Sequence, residues 1–395
     1  MDLDDGCFGM EDHRNDDETR MILDSIERML EQHVKPHVHR LEHDDEWPAE
    51  IVARMAEIGL FGAIIDPEYG GLGLSASVYS QIVERVARVW MSLSGIFNSH
   101  LIMASAVQRF GTEEQKRRFL PKFASGEIRG ALALTEPDCG TDLQAIRTTA
   151  AKQEDGSYII NGNKTWITNA LNGHAMAVLV KTDPTAQPRH KGMSLFLAEK
   201  GPGLNVPRKL PKLGYKGVDT AEVNFENYRI GADCLIGGVE GRGFHHALGG
   251  LELGRINVAA RGVGLAQAAL DEAVSYSQIR KTFGKPICQH QAIQLKLGEM
   301  ASKVQASRLL VQSAAGAFDR GERCDMEAGM AKYFATETAM YCAAESMRIH
   351  GAYGYSKEFT VERLYRDAPL LVIGEGTNEM QRIIIAKHLI ERNPL

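Results

Sequence analysis

A chain of 395 residues is long enough for more than one domain and for a large apolar core. Its 44% apolar and 24% charged residues are ordinary globular usage, and 45 Lys plus Arg against 51 Asp plus Glu leave a net charge of −6. No basic stripe offers itself to phosphates and no uninterrupted apolar stretch spans a bilayer, so neither a nucleic-acid partner nor a membrane is expected.

The first 17 residues carry seven acidic residues against one Arg, the opposite of a mitochondrial transit peptide, and lack the apolar core of a secretion signal. They read as a mobile acidic tail, residues 1–17. Six scattered cysteines without CxxC spacing suggest neither a zinc site nor a disulfide framework, and reduced thiols fit a cytoplasmic protein.

Residues 18–129 read as an α-helical domain. Ile22, Ile26, Met29, Leu30 and His33 fall on one helical face. A second helix opens with Pro48 at its first position, passes Ile51, Met55 and Ile58, and stops at Gly59. The Gly70-Gly71-Leu72-Gly73 turn separates it from a longer helical region that includes Val83 to Phe110.

Residues 130–243 change character. Short β-rich runs at Ala145 to Ala151, Ser157 to Ile160, Thr165 to Thr168, Met176 to Lys181, Ser194 to Glu199 and Ala221 to Phe225 are parted by turn residues, as in an antiparallel sheet. Residues 244–395 return to helix. Four long segments, Leu248 to Lys281, Gln289 to Arg320, Asp325 to His350 and Thr377 to Glu391, suggest a bundle.

The common nucleotide and hydrolase signatures are missing. Gly238-Val-Glu-Gly241-Arg-Gly243 has the wrong spacing for a dinucleotide turn and no βαβ unit around it. There is no Walker A sequence, HExxH or GxSxG. Five other segments carry chemistry. The first, Ala133 to Asp142, contains Thr135-Glu136-Pro137 and Gly140-Thr141; alone it is a turn. The second, Gly162 to Asn169, sets Trp166 and Thr168 two apart on a strand and hence on one face. The third is the basic helix end Arg280 to Lys285. The fourth joins Arg348 to Tyr355 with Val361 to Asp367, and the fifth is Gly374-Glu375-Gly376-Thr377-Asn378-Glu379.

In this order and spacing the five segments resemble the acyl-CoA dehydrogenase family, over nearly the whole chain from about residue 18. The resemblance implies an α+β multidomain fold: an N-terminal α domain, a middle antiparallel β domain and a C-terminal four-helix bundle. It implies FAD as cofactor, an acyl-CoA substrate, an electron-transfer flavoprotein as acceptor and a homotetramer. Leu132, Leu134, Thr135, Gly140 and Thr141 match the strand and loop that hold the flavin. Trp166, Ile167 and Thr168 match residues against the ring, where a hydroxyl at N5 favours the reduced flavin. Arg280, Thr282, Gln291, Arg348, Gly351, Ala352, Thr377 and Glu379 match the remaining FAD segments, Arg280 and Thr282 across a subunit interface. Singly, Trp166 reads as well as a core aromatic, and Arg280 as a complement to a helix C-terminus.

Glu375 matches the base that removes the α-proton while hydride leaves the β-carbon. A Glu near a helix start is also simply a good dipole partner, but glycines on both sides expose its backbone to a ligand. Some members place the base on the first bundle helix instead, at the position of Gly254, which cannot serve. Thr141, Glu252, Arg255 and Gly376 match substrate contacts. Asn98, with His100 nearby, aligns with the pocket floor, and Gly374 stands where an aromatic is common. These small or polar residues suggest a short or medium acyl chain, branched or cyclic. Arg348 for a usual Gln and Ala352 for a common Gly depart from the pattern near the adenosine half of FAD. An acyl-CoA oxidase re-oxidised by O₂ and a non-catalytic protein of the same fold are the alternatives.

Overall fold

The computed structural model describes residues 8–249 and 251–394. Helix α1 (Phe8–Met29) begins well inside the segment expected to be an acidic tail. Residues 1–7 lie outside the described part. A π-helical turn, Leu30–Val34, follows and buries Leu30 and Val34. Then come α2 (Val38–His43) and α3 (Ala49–Glu57), with Pro48 as the N-cap rather than the first helical residue and Gly59 left-handed beyond the end. Helix α4 (Ala76–Phe110) is capped by the Ser75 hydroxyl and broken at Trp90, where φ is −154° and ψ is 102°. A reciprocal Thr112/Gln115 capping box opens α5 (Glu113–Ala124).

Seven strands form the middle sheet: β1 (Gly130–Ala133), β2 (Thr149–Lys152), β3 (Tyr158–Thr168), β4 (Ala175–Lys181), β5 (Met193–Glu199), β6 (Leu204–Asn205) and β7 (Thr220–Ile230). Their order is β1-β4-β2-β3-β7-β6, with β5 on the other side of β4. The pairs β2–β3, β3–β7, β4–β5 and β6–β7 are antiparallel, but β1 and β2 both meet β4 in parallel, so the sheet is mixed. Six consecutive residues of β4, Ala175 to Val180, are buried. Such a strand is covered on both faces, the setting in which parallel pairing is found.

The C-terminal part comprises α6 (Gly243–Gly249), α7 (Leu251–Ile279), a hairpin of β8 (Lys281–Thr282) and β9 (Lys285–Pro286), α8 (Gln291–Asp319), α9 (Asp325–His350), α10 (Thr360–Ile373) and α11 (Asn378–Arg392). Helix α10 was legible only as a motif, yet it packs on both α7 and α9. Small residues let these helices approach. A Cβ on Gly262 of α7 would lie 2.9 Å from the Ala335 backbone of α9, and one on Gly264 would lie 2.3 Å from the Glu84 carbonyl of α4. This contact sets α4 and α7 side by side beneath the loop joining α10 to α11.

Candidate active site

That loop carries Glu375. Gly374 ends α10, Glu375 takes φ 53°, Gly376 takes φ 87°, and Thr377 caps α11 by accepting from the Met380 N–H at 3.4 Å. A left-handed conformation at a non-glycine residue costs about 1–3 kcal/mol and persists only where the surroundings hold it. Here they do. The Lys332 ammonium, fully buried on α9, donates to the Gly376 carbonyl at 2.9 Å and to Asn378 Oδ1 at 2.8 Å. Gln381 donates to the same Gly376 carbonyl at 3.0 Å. Lys332 had no sequence signal, because its partners lie more than 40 positions away, in the Glu375 loop and at the start of α11.

The Glu375 carboxyl points down between α4 and α7. Oε1 accepts from the Asn98 side-chain amide at 2.8 Å, whereas Oε2 is buried and has no hydrogen-bond partner. A Cβ on Gly254 would stand 2.2 Å from that oxygen. Burial pushes the carboxyl above its ordinary range, opposed by Arg261, the Asn98 hydrogen bond, Lys332 and Arg255. Glu375, Asn98 and Gly254 are thus brought together, with Gly374 and Gly376 flanking the loop. Asn98 faces the base and does not stand as an isolated polar floor. His100, expected beside it, is corrected: it bonds the carbonyls of Phe61 and Phe123 and accepts from the Gly130 N–H. Two residues along a helix turn a side chain to the opposite face.

On the sheet side, Leu132 and Leu134 alternate outward while Ala131 and Ala133 enter the sheet core. The loop after β1 is pinned by a fully buried Lys164, whose ammonium bonds the Leu134 carbonyl at 3.0 Å and Glu136 Oε1 at 2.8 Å. Glu136 also accepts from the Thr148 N–H at 3.0 Å and its hydroxyl at 2.6 Å. The pair fixes the course of Thr135 to Thr141. A bulge in β3 places Trp166 at φ 60°, with its side chain 59% exposed, while Ile167 is buried in the sheet core and offers no side-chain contact. Thr168 is half-buried, with its hydroxyl against that of Tyr215. The indole is held out in this way, and within 4 Å a Cβ added at Gly140 would meet only Thr135 Cγ2 at 3.8 Å, so neither position is filled by the protein's own side chains, as a bound planar ring requires. The residues fit a flavin.

A second group lies elsewhere. Arg280 is 6.0 Å from the centroid of the Tyr353 ring, Thr282 Oγ1 is 3.1 Å from His290 Nε2, and Arg348 pairs with Glu345 at 2.5 Å. Gln291, Gly351 and Ala352 are exposed. Gly254 and Arg280 mark opposite ends of α7, and at about 1.5 Å per residue the axis between them runs roughly 39 Å. The structure does not bring these residues to Glu375 within one chain. Thr377 spends its hydroxyl on the helix cap, and exposed Glu379 pairs with Arg382 at 3.2 Å. Thr141 is exposed on the flavin-side loop. Arg255 approaches Asp325 at 3.5 Å and keeps a buried, unpartnered Nε, and burial raises the Glu252 carboxyl.

Among the described residues, no group of His, Cys, Asp or Glu could hold a metal ion, and no helix is long and apolar enough to cross a membrane. The chain matches the family models described as the acyl-CoA dehydrogenase N-terminal domain over residues 16–127, middle domain over 131–228 and C-terminal domain over 241–390. It is 40% identical over 372 residues to an acyl-CoA dehydrogenase of Bacillus subtilis, covering 94% of this chain and 97% of that one. Butyryl-CoA dehydrogenase from Megasphaera elsdenii superposes with a TM-score of 0.91 at 34% identity, covering 99% and 100% of the two chains. A chain solved in work on the electron transferring flavoprotein of Acidaminococcus fermentans gives 0.91 at 35% identity, covering 98% and 100%. The chain belongs to the acyl-CoA dehydrogenase family of FAD-binding oxidoreductases.

Proposed function

We propose that the protein dehydrogenates an acyl-CoA thioester to its trans-2-enoyl-CoA, with Glu375 removing the α-proton. The observation that carries this reading is the buried, unpartnered Oε2 of Glu375 beneath a glycine-flanked loop. An oxygen with no internal partner, in a carboxyl whose proton affinity is raised by burial, is ready to accept a proton. FAD, when bound, supplies the hydride acceptor. Trp166 and Thr168 would hold its ring, and Leu132, Leu134, Thr135, Gly140 and Thr141 would line the loop around it. The Glu375 backbone N–H is the donor for the thioester oxygen as enolate charge develops. Glu252, Arg255 and Thr141 would receive the CoA side.

The roughly 39 Å along α7 is longer than an extended flavin dinucleotide. Arg280, Thr282, Gln291, Arg348, Gly351 and Ala352 would therefore serve the cofactor of a neighbouring copy, in a homotetramer. The acceptor proposed is an electron-transfer flavoprotein, and the location cytoplasmic, consistent with the free thiols of Cys139, Cys234, Cys288, Cys324 and Cys342. The acyl group proposed is short or medium, branched or cyclic. Gly374 carries no side chain over the base, and Asn98 stands behind it, bonded to its carboxyl at 2.8 Å.

Glu375→Gln keeps shape and hydrogen bonding but removes the base. The variant should stay yellow and bind acyl-CoA, while flavin bleaching slows by about 10²–10⁴-fold. Near-normal bleaching would exclude Glu375 as the base. A panel of isobutyryl-, 2-methylbutyryl-, cyclohexanecarbonyl-, octanoyl- and palmitoyl-CoA tests the pocket separately, and a clear preference in kcat/KM for palmitoyl-CoA would refute it.

A further inference from the structure

Behind Asn98 runs a line of buried polar side chains. Asn98 Oδ1 accepts from the Tyr79 hydroxyl at 3.4 Å, and the Tyr79 oxygen accepts from Asn257 Nδ2 at 2.9 Å. Asn257 Oδ1 in turn accepts from Arg261 Nε at 2.7 Å, and Arg261 also donates to the Ser94 carbonyl at 3.3 Å. None of the four side chains is more than 5% exposed. The direction of every link is forced. A guanidinium can only donate, so Asn257 turns its oxygen toward Arg261 and its amide toward Tyr79. Tyr79, having accepted, donates onward, and Asn98 is left with its amide facing Glu375, which in its ionised form can only accept.

We infer that Asn98 is a positioning residue for the base, the last member of a one-way hydrogen-bond chain that ties Oε1 of Glu375 and leaves Oε2 free for the substrate proton. The inference rests on reading Glu375 as the base. Two consequences follow from the geometry. The carboxyl plane is fixed, because Oε1 is held at 2.8 Å by a residue anchored on α4 while Gly254 leaves space for Oε2. The ionised form is favoured, because each donor in the line points its positive end toward the carboxylate and bonds in a dry chain polarise one another. Burial works the other way, raising the carboxyl, and the Asn98 bond is one of the contacts that oppose it.

Other charges face the same carboxyl: Arg255 and Arg261 from α7 and Lys332 from α9. The phenol of Tyr79 faces it from α4, and that of Tyr215 faces it from the segment between β6 and β7, with its hydroxyl against Arg261 and Thr168. Substitutions along the Asn98 line leave Arg255, Lys332 and Tyr215 in place, which isolates its contribution.

The test is the pH profile of anaerobic flavin reduction by octanoyl-CoA and isobutyryl-CoA in the FAD-loaded enzyme, followed by bleaching, with substrate affinity titrated in parallel. Asn98→Leu keeps the volume but removes the donor. Its half-maximal pH should rise by about one unit and its plateau rate fall by about tenfold or more, with substrate affinity changed by less than threefold. Asn98→Ser, which retains a hydroxyl donor, should recover part of the shift. Tyr79→Phe breaks the line one step back, and its half-maximal pH should move in the same direction by less than that of Asn98→Leu. An unchanged half-maximal pH in both Asn98→Leu and Tyr79→Phe overturns the inference, even if the rates fall, because a purely structural role would not move it. Should Asn98→Leu fail to retain FAD, Tyr79→Phe decides alone. If Glu375→Gln still reduces its flavin, the base assignment fails first, and that outcome is distinct from an inactive Glu375→Gln beside unshifted Asn98 and Tyr79 variants.

Discussion

Gly254→Ala adds one methyl group to the interior of α7, directly beneath the base. In an unobstructed helix interior the exchange would stabilise the protein by about 1 kcal/mol, since alanine loses less backbone freedom than glycine. Here the new Cβ stands 2.2 Å from Glu375 Oε2 and 3.3 Å from both Cδ of Glu375 and Cδ1 of Ile102. Ordinary contact begins near 3.4 Å, so the carboxyl must retreat by about 1.2 Å. The Asn98 amide is kept from following, because its oxygen accepts from Tyr79, which is itself tied to Asn257 of α7. The 2.8 Å bond to Oε1 is therefore stretched or lost, at about 1 kcal/mol for a typical hydrogen bond. The helix gain and this loss nearly cancel, and the unfolding midpoint should move by only a few degrees. Activity has no such compensation: a displacement of about 1 Å at the reacting group costs on the order of 10²-fold in rate. The expected variant is folded, yellow and slow. Thermal unfolding by circular dichroism, flavin absorbance and stopped-flow bleaching with octanoyl-CoA measure the three properties. Flavin reduction within threefold of wild type would refute the reasoning, because the base would then tolerate the methyl group without being displaced.

Two further outcomes are expected. Burial holds Lys332 down at about 8, whereas a free lysine titrates near 10.4. Between those values the unfolded chain binds more protons, so this group adds stability as pH rises, by about 1.4 kcal/mol per unit. The stability of wild type relative to Lys332→Met should therefore climb from pH 8 to 10 in urea titrations; a flat difference would show that Lys332 is not so perturbed. Arg280→Ala should lose FAD and oligomeric integrity together, because anything bound only by the assembled form stabilises it. Sedimentation of an FAD-replete wild-type monomer would show the inference across the interface to be wrong.

Helical spacing in Ile22, Ile26 and Met29, turn residues between the β runs and long helical stretches after residue 244 made the order of helices, sheet and helices readable directly. The five motif segments made the family readable, because each preserves a local backbone need such as the glycines beside Glu375. What periodicity could not show were relations between distant segments. Nothing local marks Thr360–Ile373 as a helix that packs on two others, or β4 as the strand that β1 and β2 meet in parallel. Nor does it mark Lys332 as the tie on the base loop. Asn98 and His100 sit two positions apart and read alike in sequence as polar residues near a pocket. The helix turns one toward Glu375 and the other toward three backbone groups of Phe61, Phe123 and Gly130. Periodicity reports which face of an element is apolar, but the partner of a buried polar group is chosen by whatever the packed neighbours leave unpaired. That choice is made only when α4, α7 and the Glu375 loop come together.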